Sequence, residues 1–170
     1  MLRSNILAVT VAFAVFSSGC GAGDNSDGST APSRQFLSMG TAPPGGAFFV
    51  VGSALAEVVN ETGVDRGYNV TAEATSGSQE NIRRLASGEL DFSLSNAAIT
   101  YFAVRGGEGW DRAYPVRSVM TLAPNIALFV TQPDSGITTL ADMRGHRVTV
   151  GPAGAGFEFF VRPLLEAHGI

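Results

Sequence analysis

Two hydrophobic periods alternate along this chain, and a turn of small residues joins nearly every pair of segments. Period two lays apolar side chains on one face of a strand, and period 3.6 lays them on one stripe of a helix. Alternating the two admits few folds, chiefly a mostly parallel sheet with helices on both faces joined by right-handed crossovers. The first strand is predicted at Phe36–Met39, closed by the turn Thr41-Ala42-Pro43-Pro44-Gly45-Gly46. Phe48, Val51, Leu55, Val58 and Val59 then recur at helical spacing and predict a helix from about Ala47 to Glu61. Asn69 to Thr75 alternates as a second strand. Ser76-Gly77-Ser78-Gln79 has the spacing of a capping box that opens a second helix, buried through Ile82, Leu85 and Ala86 and ended by Gly88. A third strand is expected from Leu90 to Ser95, and a third helix from about Asn96 to Arg105, stopped by Gly106-Gly107.

Farther along, a loop from Glu108 to Tyr114 carries Trp110, expected to pack over the lobe. Two more strands are predicted at about Val116–Leu122 and Ile126–Thr131. Thr138 is placed to cap a short helix with Leu140 and Met143, ended by Gly145. Arg147–Gly151 is another strand, and Gly156–His168 the last helix, with Phe157, Phe160, Val161, Leu164 and Leu165 on its apolar side. Pro163 falls inside that helix, removes a hydrogen bond and should bend it. The length of 170 residues suits one ordinary domain or two small lobes, and 45% hydrophobic residues predict a packed core rather than disorder.

The start of the chain follows a different rule. Arg3 precedes a short apolar run, Ile6 to Phe16, which ends in Ser17-Ser18-Gly19-Cys20. A charged start, a short apolar segment and small residues describe a secretory signal, here residues 1–19. Residues 20–34 are mostly Gly, Ser, Asp and Ala and read as a flexible tether. Cys20 is the only cysteine, so no internal disulfide is possible. Its place resembles a lipoprotein processing box in which the thiol carries a lipid, although Ser17 stands where such boxes usually have Leu. The alternative is a soluble secreted protein cut near or after that cysteine.

All positive charge is arginine, eleven residues with only Arg83 and Arg84 adjacent, and the net charge is −4. No basic stripe exists to neutralise phosphates, which argues against a nucleic-acid partner. Catalysis finds no support either. His146 and His168 share no sequence context with a nucleophile, no His/Cys metal spacing appears, and no cofactor motif is complete.

Three turns have the same form: strand, small residues, helix start. They are Thr41 to Ala47, Thr75 to Ser78 and Gly151 to Phe157. The first N–H groups of a helix lack partners within it, and the dipole adds partial positive charge there. Glycine lets a ligand approach the backbone. Turns of this kind at the carboxyl ends of strands, aimed at one crevice, would hold a carboxylate without lysine or metal.

Longer stretches resemble a known family. Phe36-Leu37-Ser38-Met39-Gly40-Thr41, Gly45-Gly46-Ala47-Phe48-Phe49 and Ala54-Leu55-Ala56 are similar to the opening of the TAXI family, solute receptors of TRAP transporters with the type II periplasmic-binding-protein fold. Glu73 through Leu85, with Gly88-Glu89-Leu90-Asp91-Phe92, is a second match. Asp134-Ser135-Gly136-Ile137, Leu140-Ala141-Asp142, Gly145-His146-Arg147-Val148 and Gly151-Pro152-Ala153-Gly154-Ala155-Gly156 form a third. The resemblance implies an exported receptor at the periplasm or cell surface that captures a small carboxylate, glutamate-like or 2-oxoglutarate-like, for a membrane permease. By position it puts ligand loops on Gly45, Gly46 and Ala47, on Ser76, Gly77 and Ser78, on Asn96, and on Gly154, Ala155 and Gly156. Ala42-Pro43-Pro44, Asn96, Ala98 and Phe157 depart from the family pattern and make the site more apolar, favouring a larger acid.

The resemblance divides the chain into a first α/β lobe over 35–124 and, over 125–170, a hinge crossing with an incomplete start of a second lobe. A truncated frame or a protein completed by another chain is therefore expected. The competing readings are a receptor for an ABC importer, an enzyme built on the same architecture, and a structural or sensory lipoprotein without a transport role.

Overall fold

In the computed structural model, which describes residues 33–107 and 109–170, the alternating segments at the start of the body pair as expected. The signal segment, Cys20 and nearly all of the tether lie outside the described residues. Strand β1 (Gln35–Gly40) lies between β2 (Tyr68–Glu73) and β3 (Phe92–Ser93), and both pairings are parallel. The β1–β2 register runs from Gln35 opposite Tyr68 to Gly40 opposite Glu73. Only Met39 with Phe92 and Gly40 with Ser93 pair on the other side, so β3 is shorter than the Leu90–Ser95 run predicted. Before β3 the Asp91 carboxylate accepts the Ser38 N–H at 2.8 Å in place of a main-chain acceptor, although the Asp91 and Leu94 N–H groups still donate to the Ser38 and Gly40 carbonyls.

Helix α1 (Ala47–Thr62) follows β1, α2 (Ser78–Ser87) follows β2, and α3 (Ala97–Arg105) follows β3. Helix α1 packs on β2 and β1. Its Asn60 serves the edge strand, donating to the Val70 carbonyl at 2.9 Å and accepting the Val70 N–H at 2.6 Å. Those are groups an edge strand otherwise leaves open. Gly88 and Gly106 end α2 and α3 in the left-handed conformation, as their positions predict.

The apolar core gathers Ile82, Ile99, Ala103, Trp110 and Tyr114, so Trp110 does pack over the lobe. A last helix, α4 (Glu158–Ala167), brings Phe159 and Phe160 against this cluster, and the Phe159 ring stacks on Phe102 with centroids 6.0 Å apart.

Three expected strands do not form. Residues 116–122, 126–131 and 147–151 have no regular secondary structure and no ladder partner among the described residues. Apolar alternation specifies a strand only where another edge takes up its N–H and C=O groups. Here Val119, Ile126, Leu128 and Val130 are exposed, Val130 to 88%. The helix expected after Thr138 is a 3-10 turn, Ala141–Met143. Its cap comes from inside rather than from Thr138: the Asp142 carboxylate accepts the N–H groups and hydroxyls of both Thr138 and Thr139 at 2.8–3.1 Å.

Candidate functional site

Parallel pairing puts the carboxyl ends of β1, β2 and β3 at one edge of the sheet, and α1, α2 and α3 all start from that edge. The buried polar residues lie there too: Thr41, Thr75, Ser78 and Asn81. Thr41 donates from both its N–H (3.0 Å) and its hydroxyl (2.7 Å) to the Glu73 carbonyl, joining the ends of β1 and β2. The Asn81 amide donates to the carbonyls of Thr41 and Leu94, each at 2.8 Å, and so joins the ends of β1 and β3. The sequence reading missed Asn81. Its signal was available, since a polar residue four before Leu85 falls on the stripe predicted to be buried.

The opening of α1 is the most accessible. Gly45, at φ +86°, and Ala47 are exposed, and Gly46 is the cap residue without a side-chain cap. The Gly46 N–H donates to the Pro43 carbonyl at 2.9 Å, whereas among the described residues nothing accepts from the amides of Ala47 and Phe48.

At α2 the capping box is displaced by one residue. Gly77 caps the helix at φ +122°, and Glu80, not Gln79, reaches back to accept the Ser76 N–H at 2.8 Å. Glycine is needed here for the backbone angle and for space, because Ala155 Cα lies 3.1 Å from where a Cβ would stand. The Ser76 hydroxyl, then the Ser76 amide and the Arg84 guanidinium, hold the Glu80 carboxyl below its ordinary range despite its partial desolvation. The Thr75 hydroxyl accepts the Gly77 N–H at 3.2 Å.

At α3, Asn96 caps the helix by accepting the Ala98 N–H at 2.9 Å. Its own N–H donates to the Ser78 hydroxyl at 3.0 Å, which ties the openings of α2 and α3 together.

The Gly154-Ala155-Gly156 loop sits directly on this pair. The Gln79 N–H donates to the Gly154 carbonyl at 2.9 Å, so one amide at the start of α2 is already taken by the chain itself. Ser76, Gly77, Ser78, Asn96, Gly154, Ala155 and Gly156 thus form one patch. Gly45, Gly46 and Ala47 lie at the same sheet edge, linked to the patch through the Thr75 N–H on the Ala42 carbonyl at 3.4 Å. A concavity of about 300 Å³ is lined by Gln79, Val150, Pro152, Gly154, Gly156 and Phe157 among others, and does not include the α1 opening.

No group of three or more His, Cys, Asp or Glu residues among the described residues could hold a metal ion, and no described helix is long and apolar enough to cross a membrane. His146 and His168 are exposed, the latter with Nδ1 at 2.8 Å from the Leu164 carbonyl. At these openings the Ala47 and Phe48 amides have no acceptor among the described residues, whereas the amides of Ser76, Gly77, Gln79, Asn96 and Ala98 already donate within the chain. The profile of the NMT1-like family matches residues 39–170, a span that takes in every one of these openings.

Proposed function

The chain belongs to the NMT1-like family, whose members are periplasmic-binding-protein-like solute-binding proteins, and from that premise we propose that it captures a small carboxylate for a TRAP-type permease. The observation that carries the reading is the shared edge: three helix openings start from one side of a parallel sheet over a floor of buried Thr41, Thr75, Ser78 and Asn81. Amides at such openings favour negative charge through their dipoles and unpaired N–H groups. They act at short range, so the acidic net charge of −4 does not oppose them.

The ligand is assigned to Gly45, Gly46 and Ala47, to Ser76, Gly77 and Ser78, to Asn96, and to Gly154, Ala155 and Gly156. The TAXI-like motifs support the TRAP class of permease, and the apolar Ala42-Pro43-Pro44 turn and Phe157 favour an acid with a sizeable hydrocarbon part. Export by residues 1–19 and lipid attachment at Cys20 would hold the receptor at the membrane surface.

A melting-temperature screen of mono- and dicarboxylic acids on the full chain tests this. Ligand at one hundred times its Kd should stabilise the fold by about 2.7 kcal/mol, a shift of several degrees. A screen in which no carboxylate raises the melting temperature while the protein is folded sinks the reading.

A further inference from the structure

Every residue from Arg117 to Gly136 is exposed. Among the described residues, no backbone N–H or carbonyl from Arg117 to Thr131 takes part in a main-chain hydrogen bond. Within this run lies a window of eight residues, Asn125–Gln132, bracketed by Pro124 and Pro133 and itself free of proline, glycine and charge. Its Leu128 and Val130 are the two most exposed large apolar side chains among the described residues.

A peptide in this state is what an endoprotease binds. Such enzymes hold the substrate extended, in the manner of an added strand, and use its N–H and C=O groups on both sides of the bond to be cut. Helices and paired strands offer those groups only after opening locally, which slows cleavage by the fraction of time they are open. An exposed side chain alone does not suffice: Phe36 and Tyr101 are exposed, but their backbones are held in β1 and α3. Arg117 is poorly placed, because Tyr114 is buried in the core just before it and Val116 packs on the same cluster. Leu122 is followed two residues on by Pro124, which has no N–H to pair. The window from Asn125 to Gln132 has neither obstacle.

We propose that Asn125–Gln132 is a proteolytic site, cut at the Leu128–Phe129 or Phe129–Val130 bond by a serine protease whose primary pocket takes a large apolar side chain. Water adds across the amide: the residue before the bond gains a carboxylate, and the residue after it gains a free amine. The cut lies between the openings of α1, α2 and α3 on one side and Gly154–Gly156 on the other. It therefore severs the covalent link between the two parts of the assigned ligand site. The proposal goes beyond the carboxylate reading and does not depend on it.

The test treats the full chain with a trace of chymotrypsin in native buffer and follows the pieces by intact-mass spectrometry. The first cut should fall after Leu128 or Phe129, at least tenfold faster than any cut within residues 35–105. Replacing both side chains, Leu128→Asp with Phe129→Asp, removes what the pocket takes and should slow that cut at least tenfold, with circular dichroism unchanged. Val130→Pro keeps both apolar side chains but removes an N–H that the protease pairs, and should slow the cut as much. A first cut inside residues 35–105, or after Met120 or Leu122, overturns the proposal, as does a folded variant cut in the window at the parent's rate. A window that is protected in concentrated protein and opens on dilution would mean that copies of the chain pair through it, and overturns the proposal as well. No carboxylate is present in this assay, so a failed ligand screen leaves the cleavage site standing, and an uncut window leaves the carboxylate reading standing.

Discussion

Residues 35–105 and residues 115–150 carry similar apolar patterns, yet only the first set builds a sheet and helices. In the first, every strand has a neighbour and every helix a face to cover: β1 pairs on both sides, α1 covers β2, and α2 and α3 enclose Ile82 and Ile99 at 1% exposure. In the second, Ile126, Leu128 and Val130 are as apolar and as β-prone, but they stand 76%, 80% and 88% exposed. The difference teaches that hydrophobic pattern proposes an element and a partner confirms it. Burial and backbone pairing come from elsewhere in the chain, and without them the same residues remain irregular.

Two isoleucines measure the contrast directly. Ile82→Ala empties a site that is 1% exposed in the core cluster and should cost about 2–5 kcal/mol by urea unfolding. Ile126→Ala, at a site 76% exposed, should change stability by no more than about 0.5 kcal/mol. Equal costs would mean that residues 115–150 are packed in solution, and the comparison would collapse.

Two asparagines sharpen it at smaller scale. Asn81→Ala strands the Thr41 and Leu94 carbonyls at the buried sheet edge. Each unpaired buried group costs about 1–3 kcal/mol, offset in part because Asn81 Oδ1 is itself without a partner among the described residues. A net loss of about 2 kcal/mol is expected from chemical denaturation. Asn125→Ala, at an exposed position, should be silent in the same experiment.

What could be read in the sequence follows the same division. The limits of β1, α1 and α3, the left-handed glycines at 88 and 106, and the packing of Trp110 depend on short-range signals, and each stands close to its expected place. The start of β3 depended on Asp91 reaching Ser38 across 53 positions, and no periodicity encodes that bond. The irregularity of 116–131 goes with the absence of a neighbouring edge among the described residues, which no local pattern encodes. At the site, the glycines and serines of the turns were legible because their conformational freedom and hydroxyls are local properties. The docking of Gly154 on Gln79 was not, because it joins residues far apart in sequence through main-chain atoms that every residue possesses.

Acid separates two carboxylates that do the same job in the two regions. Glu80 accepts a turn amide in the ordered lobe, and Asp142 accepts two in the looser segment. The Thr138 amide, then the Thr139 amide and the hydroxyls of both threonines, hold the Asp142 carboxyl down at about 2 from an ordinary 3.8. A depressed folded pKa means that the unfolded turn binds the proton first as pH drops. The contribution of Asp142 is therefore complete above 3.8 and is lost as pH falls toward about 2. Because Asp142 is exposed, the loss should stay within its own turn rather than unfold the lobe. Nuclear magnetic resonance should show the amide shifts of Thr138 and Thr139 titrating together with a midpoint near 2, and Asp142→Ala should abolish that transition. A midpoint near 3.8 would show that the cap does not persist in solution, leaving residues 115–150 even less ordered than the lobe against which they are compared.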